Sequence, residues 1–593
     1  MRNLKRALSL ALATVMTVGM MVVGTGASYA DVKATDNVEA IEVLQAVGIM
    51  TGDENGDFNP DANVTRNEIA VIMSNLLNLD YDYYRGTNPF TDVPSWAAPY
   101  VAACYAEGVT AGAGNGLYNG AGNVTAAEAS LMIMKALGYF QYQNDFGDDW
   151  QIATIRQASY INLFDGINAN AETALTRNQI AQLVLNGLKA NMVTFTGTVG
   201  AQIGDVVVGY VAEYTPITNA DSKYNRIDVG TTNIASDDKY YVQLGEELYN
   251  GDLKLTADTD VFGRPAYSWE YASKEIGTYV DESQMIQEYT TKVTGDMLYD
   301  LLTRSTVNTY DLTVVIDGVY KEDAPSVVSG RWFSKNEINR NNDEGLGGTG
   351  NGVLTQVFVD NNSKEITVAI INTYLALANK DYDSKKDEIG FDVYGIDKVA
   401  TSDIYYKYQD ASQEDMKSLK VSGEDFAISN MKDAVLVTVA DGEIQTMADC
   451  EIMAGTTVDA FETSNNQSNI GTPSLVEIDG TEYKFASAAE FDVDVMQQYT
   501  TSNGVTNLKD MTYNIYMDAY GYVIGVEEVE VANNYVFLSG LDIDSNLLGS
   551  TTAKATAIFL DGRMETISIN VTKSEIPTTI VNNGGSAILN SWY

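Results

Sequence analysis

The sequence predicts a multidomain chain of two textures: an all-α N-terminal domain of three helical repeats, then mainly antiparallel β domains of sandwich or barrel type. Three observations predict it. First, one construction recurs. Gly48-Ile49-Met50-Thr51-Gly52, Phe58-Asn59-Pro60 and Val64-Thr65-Arg66-Asn67-Glu68 return as Gly108-Val109-Thr110-Ala111-Gly112, Tyr118-Asn119-Gly120 and Val124-Thr125-Ala126-Ala127-Glu128, with 17 residues from glycine to threonine each time. A worn third copy runs from Asn162-Leu163-Phe164-Asp165-Gly166 to Leu175-Thr176-Arg177-Asn178-Gln179, its spacing cut to 14. Such a recurrence sets the fold of everything it covers. Second, Thr65-x-x-Glu68, Thr125-x-x-Glu128 and Thr176-x-x-Gln179 have capping-box spacing, which starts a helix in every copy. Third, from about Thr194 short runs rich in Val, Ile, Thr and Tyr alternate with turns such as Asp317-Gly318, Asp479-Gly480 and Asp561-Gly562. Asp-Gly pairs between extended runs favour hairpins.

Taken in order, the chain opens with Arg2, Lys5 and Arg6 ahead of an apolar run from Ala7 to Val23, and Ser28-Tyr29-Ala30 offers small residues at −3 and −1. This reads as a secretory signal peptide over 1–30, with Asp31 as the first mature residue. The copies then occupy 31–80, 81–140 and 141–191. In the first two, apolar residues at helical spacing (Ile41, Leu44 and Val47; Tyr100, Val101, Cys104 and Tyr105) precede Gly48 and Gly108, which suit the left-handed conformation, and Asn162 fills that slot in the third. The β region divides into 194–340, 353–461 and 474–593 around two polar, glycine-rich stretches, 340–352 and 462–473. One helix is expected within it, at Thr294–Thr303.

The second copy has a preamble, Phe90-x-Asp92-Val93-Pro94-x-Trp96, compressed in the third to Phe146-x-Asp148-Asp149-Trp150. With these residues the chain resembles the surface-layer homology family over roughly 31–191. The resemblance implies three helical repeats about a pseudo-threefold axis, binding a pyruvylated secondary polysaccharide of the bacterial cell wall. It points to Arg66 and Arg177, each directly after a capping threonine, as carboxylate donors at a helix N-terminus. The alternative is that both arginines merely start a helix and face solvent. Asp92 and Asp148 serve either as helix caps or as acceptors for sugar hydroxyls, and Trp96 and Trp150 either stack on a pyranose or pack into the core. Ala126 replaces the arginine of the second copy, and the first copy lacks the Phe and Trp of the preamble. One or two working grooves are therefore expected.

Composition limits the function. The chain carries 36 Lys and Arg against 81 Asp and Glu, a net charge of −45, and loss of the leader would take it to −48. Such a surface repels nucleic acid. Beyond the leader no apolar run is long enough to span a membrane. Without histidine there is no Ser-His-Asp triad and no histidine-based zinc site. Cys104 reads as a small core hydrophobe, with no disulfide to Cys450. Acidic pairs such as Asp258-x-Asp260, Asp381-x-Asp383, Asp492-x-Asp494 and Asp542-x-Asp544 make calcium a possible ligand, with solvated carboxylates as the plainer reading. The expectation is a non-enzymatic, secreted cell-surface protein whose repeats hold wall polysaccharide while its acidic β domains self-associate into a surface lattice. A repeat-anchored glycoside hydrolase or an adhesin is the alternative.

Overall fold

The computed structural model describes residues 22–24, 29–33, 35–146, 149–203, 206–230, 233–324, 329–379, 381–396, 416–422, 434–463, 473–493, 495–496, 511–529, 536–543, 552–559, 562–570, 585–587 and 591–592. Two compact units emerge. One comprises Met1–Ile452 with Tyr483–Phe491 and Tyr516–Gly525; the other comprises Met453–Glu482, Asp492–Ile515 and Val526–Tyr593.

In the first unit each copy is a helix, a tight turn, a loop and a second helix. The helices are α1 (Val38–Ala46) and α2 (Arg66–Leu76), α3 (Ala98–Ala106) and α4 (Ala126–Ala136), α5 (Trp150–Tyr160) and α6 (Arg177–Lys189). After the first helix of each copy, Gly48, Gly108 and Asn162 have φ of 74°, 69° and 56°, the left-handed turn that ends a helix without cost for glycine and at little cost for asparagine. At the second helix the threonine oxygen accepts from the third-residue amide while Glu68, Glu128 or Gln179 reaches back, so all three boxes are formed.

The copies are joined by a ring of backbone hydrogen bonds. Val64 N–H donates to Leu175 O (3.0 Å), Leu175 N–H to Val124 O (3.1 Å) and Val124 N–H to Val64 O (2.9 Å). All three side chains are fully buried. From each corner the next helix hands its first two amides to the loop of a neighbouring copy: Arg66 and Asn67 to Gly122 and Gly120, Ala126 and Ala127 to Thr173 and Ala171, Arg177 and Asn178 to Ala62 and Pro60.

Beyond α6 come a two-stranded ribbon, β1 (Val193–Ile203) and β2 (Val206–Pro216), the short helix α7 (Leu244–Tyr249) and an antiparallel sheet of β3 (Leu253–Thr259), β4 (Pro265–Tyr271) and β5 (Lys274–Val280). A short strand, Val22–Gly24, pairs with β5. This sheet closes the helical core: Leu244, Leu253, Trp269, Ile276 and Tyr279 belong to the same buried cluster as the helices. Trp269 Nε1–H and Lys189 Nζ both donate to Glu39 Oε1 at 2.7 Å, and Tyr279 O–H donates to buried Glu42.

Next, β6 (Met285–Tyr289) leads to helix α8 (Gly295–Thr309), which runs past the expected end at Thr303 through a break there (φ 67°, ψ 154°). A five-stranded sheet follows, in the order β8 (Val319–Tyr320), β7 (Asp311–Ile316), β10 (Glu365–Asn372), β9 (Val353–Asp360), β6. Here β7 and β10 are parallel, Asp311 opposite Glu365 and Ile316 opposite Ile370. The long excursion through β8 and β9 permits that crossover, and β10, buried on both faces, has the continuous apolar run of a central strand. A second five-stranded sheet, antiparallel throughout, contains Tyr374–Ala378 and Ala434–Ala440. In the second unit, Val536–Ile543 pairs antiparallel with Thr552–Phe559 and with Gly585–Ala587.

These observations correct the expected fold class. The chain is mostly β, and its helical part is not a free-standing all-α domain, because residues of the β3–β5 sheet share its buried core. The β region is mainly antiparallel, as expected, with β7 and β10 a parallel pair, and among the described residues its sheets are open rather than closed barrels. No described helix is long and apolar enough to cross a membrane. Residues 1–21 and 25–28 of the expected leader lie outside the described residues.

Two outcomes follow from this packing. Trp269→Ala in the full chain should cost about 3–5 kcal/mol and speed amide exchange in α1 and α6; unchanged exchange there would show that the sheet does not support the helices. The second concerns Asp317, at the β7–β8 turn, whose carboxylate accepts from Asn372 N–H (2.8 Å) and Tyr374 O–H (2.5 Å). Burial nevertheless pushes its carboxyl up to about 7. The folded state then holds a proton that the unfolded chain releases near pH 4, so stability falls as pH rises from about 4 to 7. Asp317→Asn should flatten that decline in the unfolding midpoint, and an unaltered slope would refute it.

Candidate functional site

The arginines singled out by the sequence lie where one copy meets the next. Arg66 donates from Nε to Tyr118 O (3.0 Å), from Nη2 to Ala111 O (3.1 Å) and from Nη1 to Glu128 Oε1 (2.5 Å), with its guanidinium 4.8 Å from the Tyr118 ring centre. Arg177 repeats this where the third copy meets the first. Its Nε donates to Phe58 O (2.7 Å) and its Nη2 to Thr51 O (2.9 Å), 4.7 Å from the Phe58 ring centre. Burial pulls Arg177 below the ordinary arginine range, against the neighbouring carboxylates of Glu68, Asp53 and Asp31. Neither arginine is simply solvent-facing. The helix N-termini also differ from expectation: their first amides are taken by neighbouring loops, so any affinity for an anion there rests on the guanidinium.

The capping glutamate of the second copy has two tasks. Glu128 Oε2 accepts from Thr125 N–H and Oγ1–H of its own helix, while Oε1 takes Arg66 of the preceding copy. At the junction of the second and third copies both members change together, since Ala126 stands for arginine and neutral Gln179 for glutamate. That covariation between copies is a signal the sequence carried, readable only once the pairing across copies is known. Arg66 and Arg177 differ in saturation. Arg66 meets a carboxylate, whereas among the described residues Nη1 of Arg177 has no hydrogen-bond partner.

The preamble acts on the loops. Asp92 does not cap α3, whose N-cap is Ala97. It accepts instead from Tyr118 N–H (2.8 Å) and Asn119 N–H (2.7 Å), and these bonds, the Tyr118 amide foremost, hold its carboxyl below the usual carboxylate range. Phe90 stacks 5.3 Å from Tyr118 and would lie 2.5 Å from a Cβ at Gly112, so that glycine is needed for the close approach. The first copy contains the same device, which the sequence reading missed. Tyr29 lies 5.4 Å from Phe58 and would meet a Cβ at Gly52 at 2.5 Å, and its hydroxyl accepts from Gly52 N–H (2.7 Å). Asp31 accepts from Phe58 N–H (2.8 Å) and Asn59 N–H (2.6 Å). Tyr29-x-Asp31-Val32 is thus the counterpart of Phe90-x-Asp92-Val93.

Trp96 is 56% exposed and Trp150 39%, so neither is a core residue. Asp148 lies outside the described residues; α5 is capped by Asp149, which accepts from Gln151 and Ile152 N–H. Cys104 and Cys450 are both buried, and no disulfide joins them. Of the acidic pairs, Asp260 is held by Arg264 (2.7 Å) and Asp258 accepts from Ser268. Among the described residues no three His, Cys, Asp or Glu side chains gather where they could hold a metal ion.

The S-layer homology domain matches this chain at residues 28–70 and 89–130. The first matched stretch contains the Tyr29 device and the second the Phe90 device. The chain is 25% identical over 285 residues to a cell surface protein of Thermoanaerobacter kivui (45% of this chain, 36% of the relative) and 31% identical over 134 residues to a surface layer protein of Brevibacillus choshinensis (22% and 12%). An endoglucanase of a Bacillus species is 28% identical over 140 residues (22% and 14%). The chain therefore spans about a third or less of these relatives. With the matched domain they mark a secreted protein of the cell surface.

If the Arg66–Glu128 pair locks two copies together, Arg66→Ala should cost about 1.5–3 kcal/mol. A double-mutant cycle with Glu128→Gln should return a coupling of about 0.5–3 kcal/mol. Zero coupling in thermal or denaturant unfolding would make the contact incidental.

Proposed function

We propose that the helical copies fasten this protein to a secondary cell-wall polysaccharide and that the acidic β region assembles laterally into a surface layer. In this reading all three copies are S-layer homology repeats, and the bound group is an acidic sugar such as a pyruvyl ketal. Arg177 carries the proposal. Two backbone carbonyls and the Phe58 face hold its guanidinium in place, leaving Nη1 for a carboxylate brought by the ligand. Preorganisation of this kind lowers the cost of binding. Arg66, already paired with Glu128, is the weaker site, and the second junction, with neither charge, is not a carboxylate site. Exposed Trp96 and Trp150 offer faces for a pyranose, whereas Asp92, engaged by two amides, supports its loop. Asp148 keeps only the role expected from sequence. The hydrolase alternative rests on the names of two relatives, an endoglucanase and an endo-1,4-beta-xylanase, which match 22% and 15% of this chain.

Wall sacculi with and without their secondary polysaccharide test this. The parent should sediment only with unstripped walls. Arg177→Ala should weaken binding roughly 10- to 100-fold, equivalent to a lost charge-assisted hydrogen bond, and Arg177→Lys should recover only part, since an ammonium lacks the planar fork. Equal binding to stripped walls, or full binding by a folded Arg177→Ala, would defeat the proposal.

A further inference from the structure

The packing of Tyr29 bears on where export cuts the chain. A cut after Ala30 satisfies the rule of small residues at −3 and −1, yet it would remove the Tyr29 ring from Phe58 and Gly52, its hydroxyl from Gly52 N–H and its carbonyl from Val32 N–H (3.1 Å). It would also place a new ammonium on Asp31, whose carboxylate already holds the amides of Phe58 and Asn59. The second copy keeps the corresponding ring and carboxylate in Phe90 and Asp92.

We infer that the leader is cleaved upstream of Tyr29, at the Ala27–Ser28 bond, and that the exported protein retains Tyr29 as a structural part of its first copy. Thr25 and Ala27 supply compact −3 and −1 side chains there, just after the apolar run ends. Water is the co-reactant: its oxygen adds to the Ala27 carbonyl carbon, the C–N bond to Ser28 breaks, and the products are a leader carboxylate and a Ser28 ammonium. The short strand Val22–Gly24 lies on the leader side and leaves with it, opening the outer edge of β5. This inference depends on secretion and not on what the copies bind.

The test is N-terminal sequencing and intact mass of the protein exported from the full-length precursor by a bacterial secretion host. A start at Ser28, or at any residue up to Tyr29, is expected; a start at Ala30 or Asp31 overturns the inference. Thermal unfolding of exported variants checks its cause. Tyr29→Ala should lower the melting temperature about as far as Phe90→Ala does, and Tyr29→Phe, which keeps the ring, should lower it less. If Tyr29→Ala melts with the parent, Tyr29 is not a structural part of the first copy and the inference falls. Should Tyr29→Ala fail to be exported, Tyr29→Phe and the parent's N-terminus still decide.

Discussion

Three backbone hydrogen bonds, among Val64, Val124 and Leu175, constrain everything else in the helical region. Each corner residue stands immediately before a capping threonine, so closing the ring brings the starts of α2, α4 and α6 together. The orphan amides that every helix start exposes are then satisfied by a neighbour's loop rather than by water. That same handover carries the residue after each threonine across the junction. Arg66 and Arg177 reach Tyr118 and Phe58 because the ring delivers them there.

Charge follows a related economy. In a chain with 81 acidic and 36 basic residues, several cations lie at internal seams: Arg66 against Glu128, Lys189 against Glu39 beneath Trp269, and fully buried Arg264 against Asp260. Unpaired buried charge is costly, and where no base is at hand burial raises the carboxyl instead. Glu42 beside Tyr279 and Asp317 beside Tyr374 are of this kind.

Much of the helical region was legible because it is written in local chemistry. Gly48, Gly108 and Asn162 announce left-handed turns, and the three Thr-x-x-Glu/Gln motifs announce caps, each readable within a few residues. What escaped was non-local or disguised. Tyr29 does the work of Phe90 with a different ring, in a stretch that also fits a peptidase site, so its packing was invisible without Phe58 and Gly52 beside it. The double duty of Glu128 involves a residue 62 positions away. Trp269 lies 230 residues from Glu39, and no periodicity could show that a β-sheet completes a helical core. The parallel pairing of β7 and β10 was equally hidden, since turn chemistry reports hairpins but not the strand later inserted between them.

A ring counts in a way that a stack does not. A solenoid can gain or lose a repeat at either end and keep its interfaces, but here Leu175 must return to Val64, so a fourth copy would have no corner to occupy and a second alone could not close. Gene duplication could have built this architecture once and then been barred from extending it. Drift within a copy meets no such barrier. The third copy can lose three loop residues, and the second can trade its arginine as the third trades its glutamate, while the backbone circuit through Val124 and Leu175 persists. The worn copies are what a lineage leaves behind when number is locked and chemistry is free to vary.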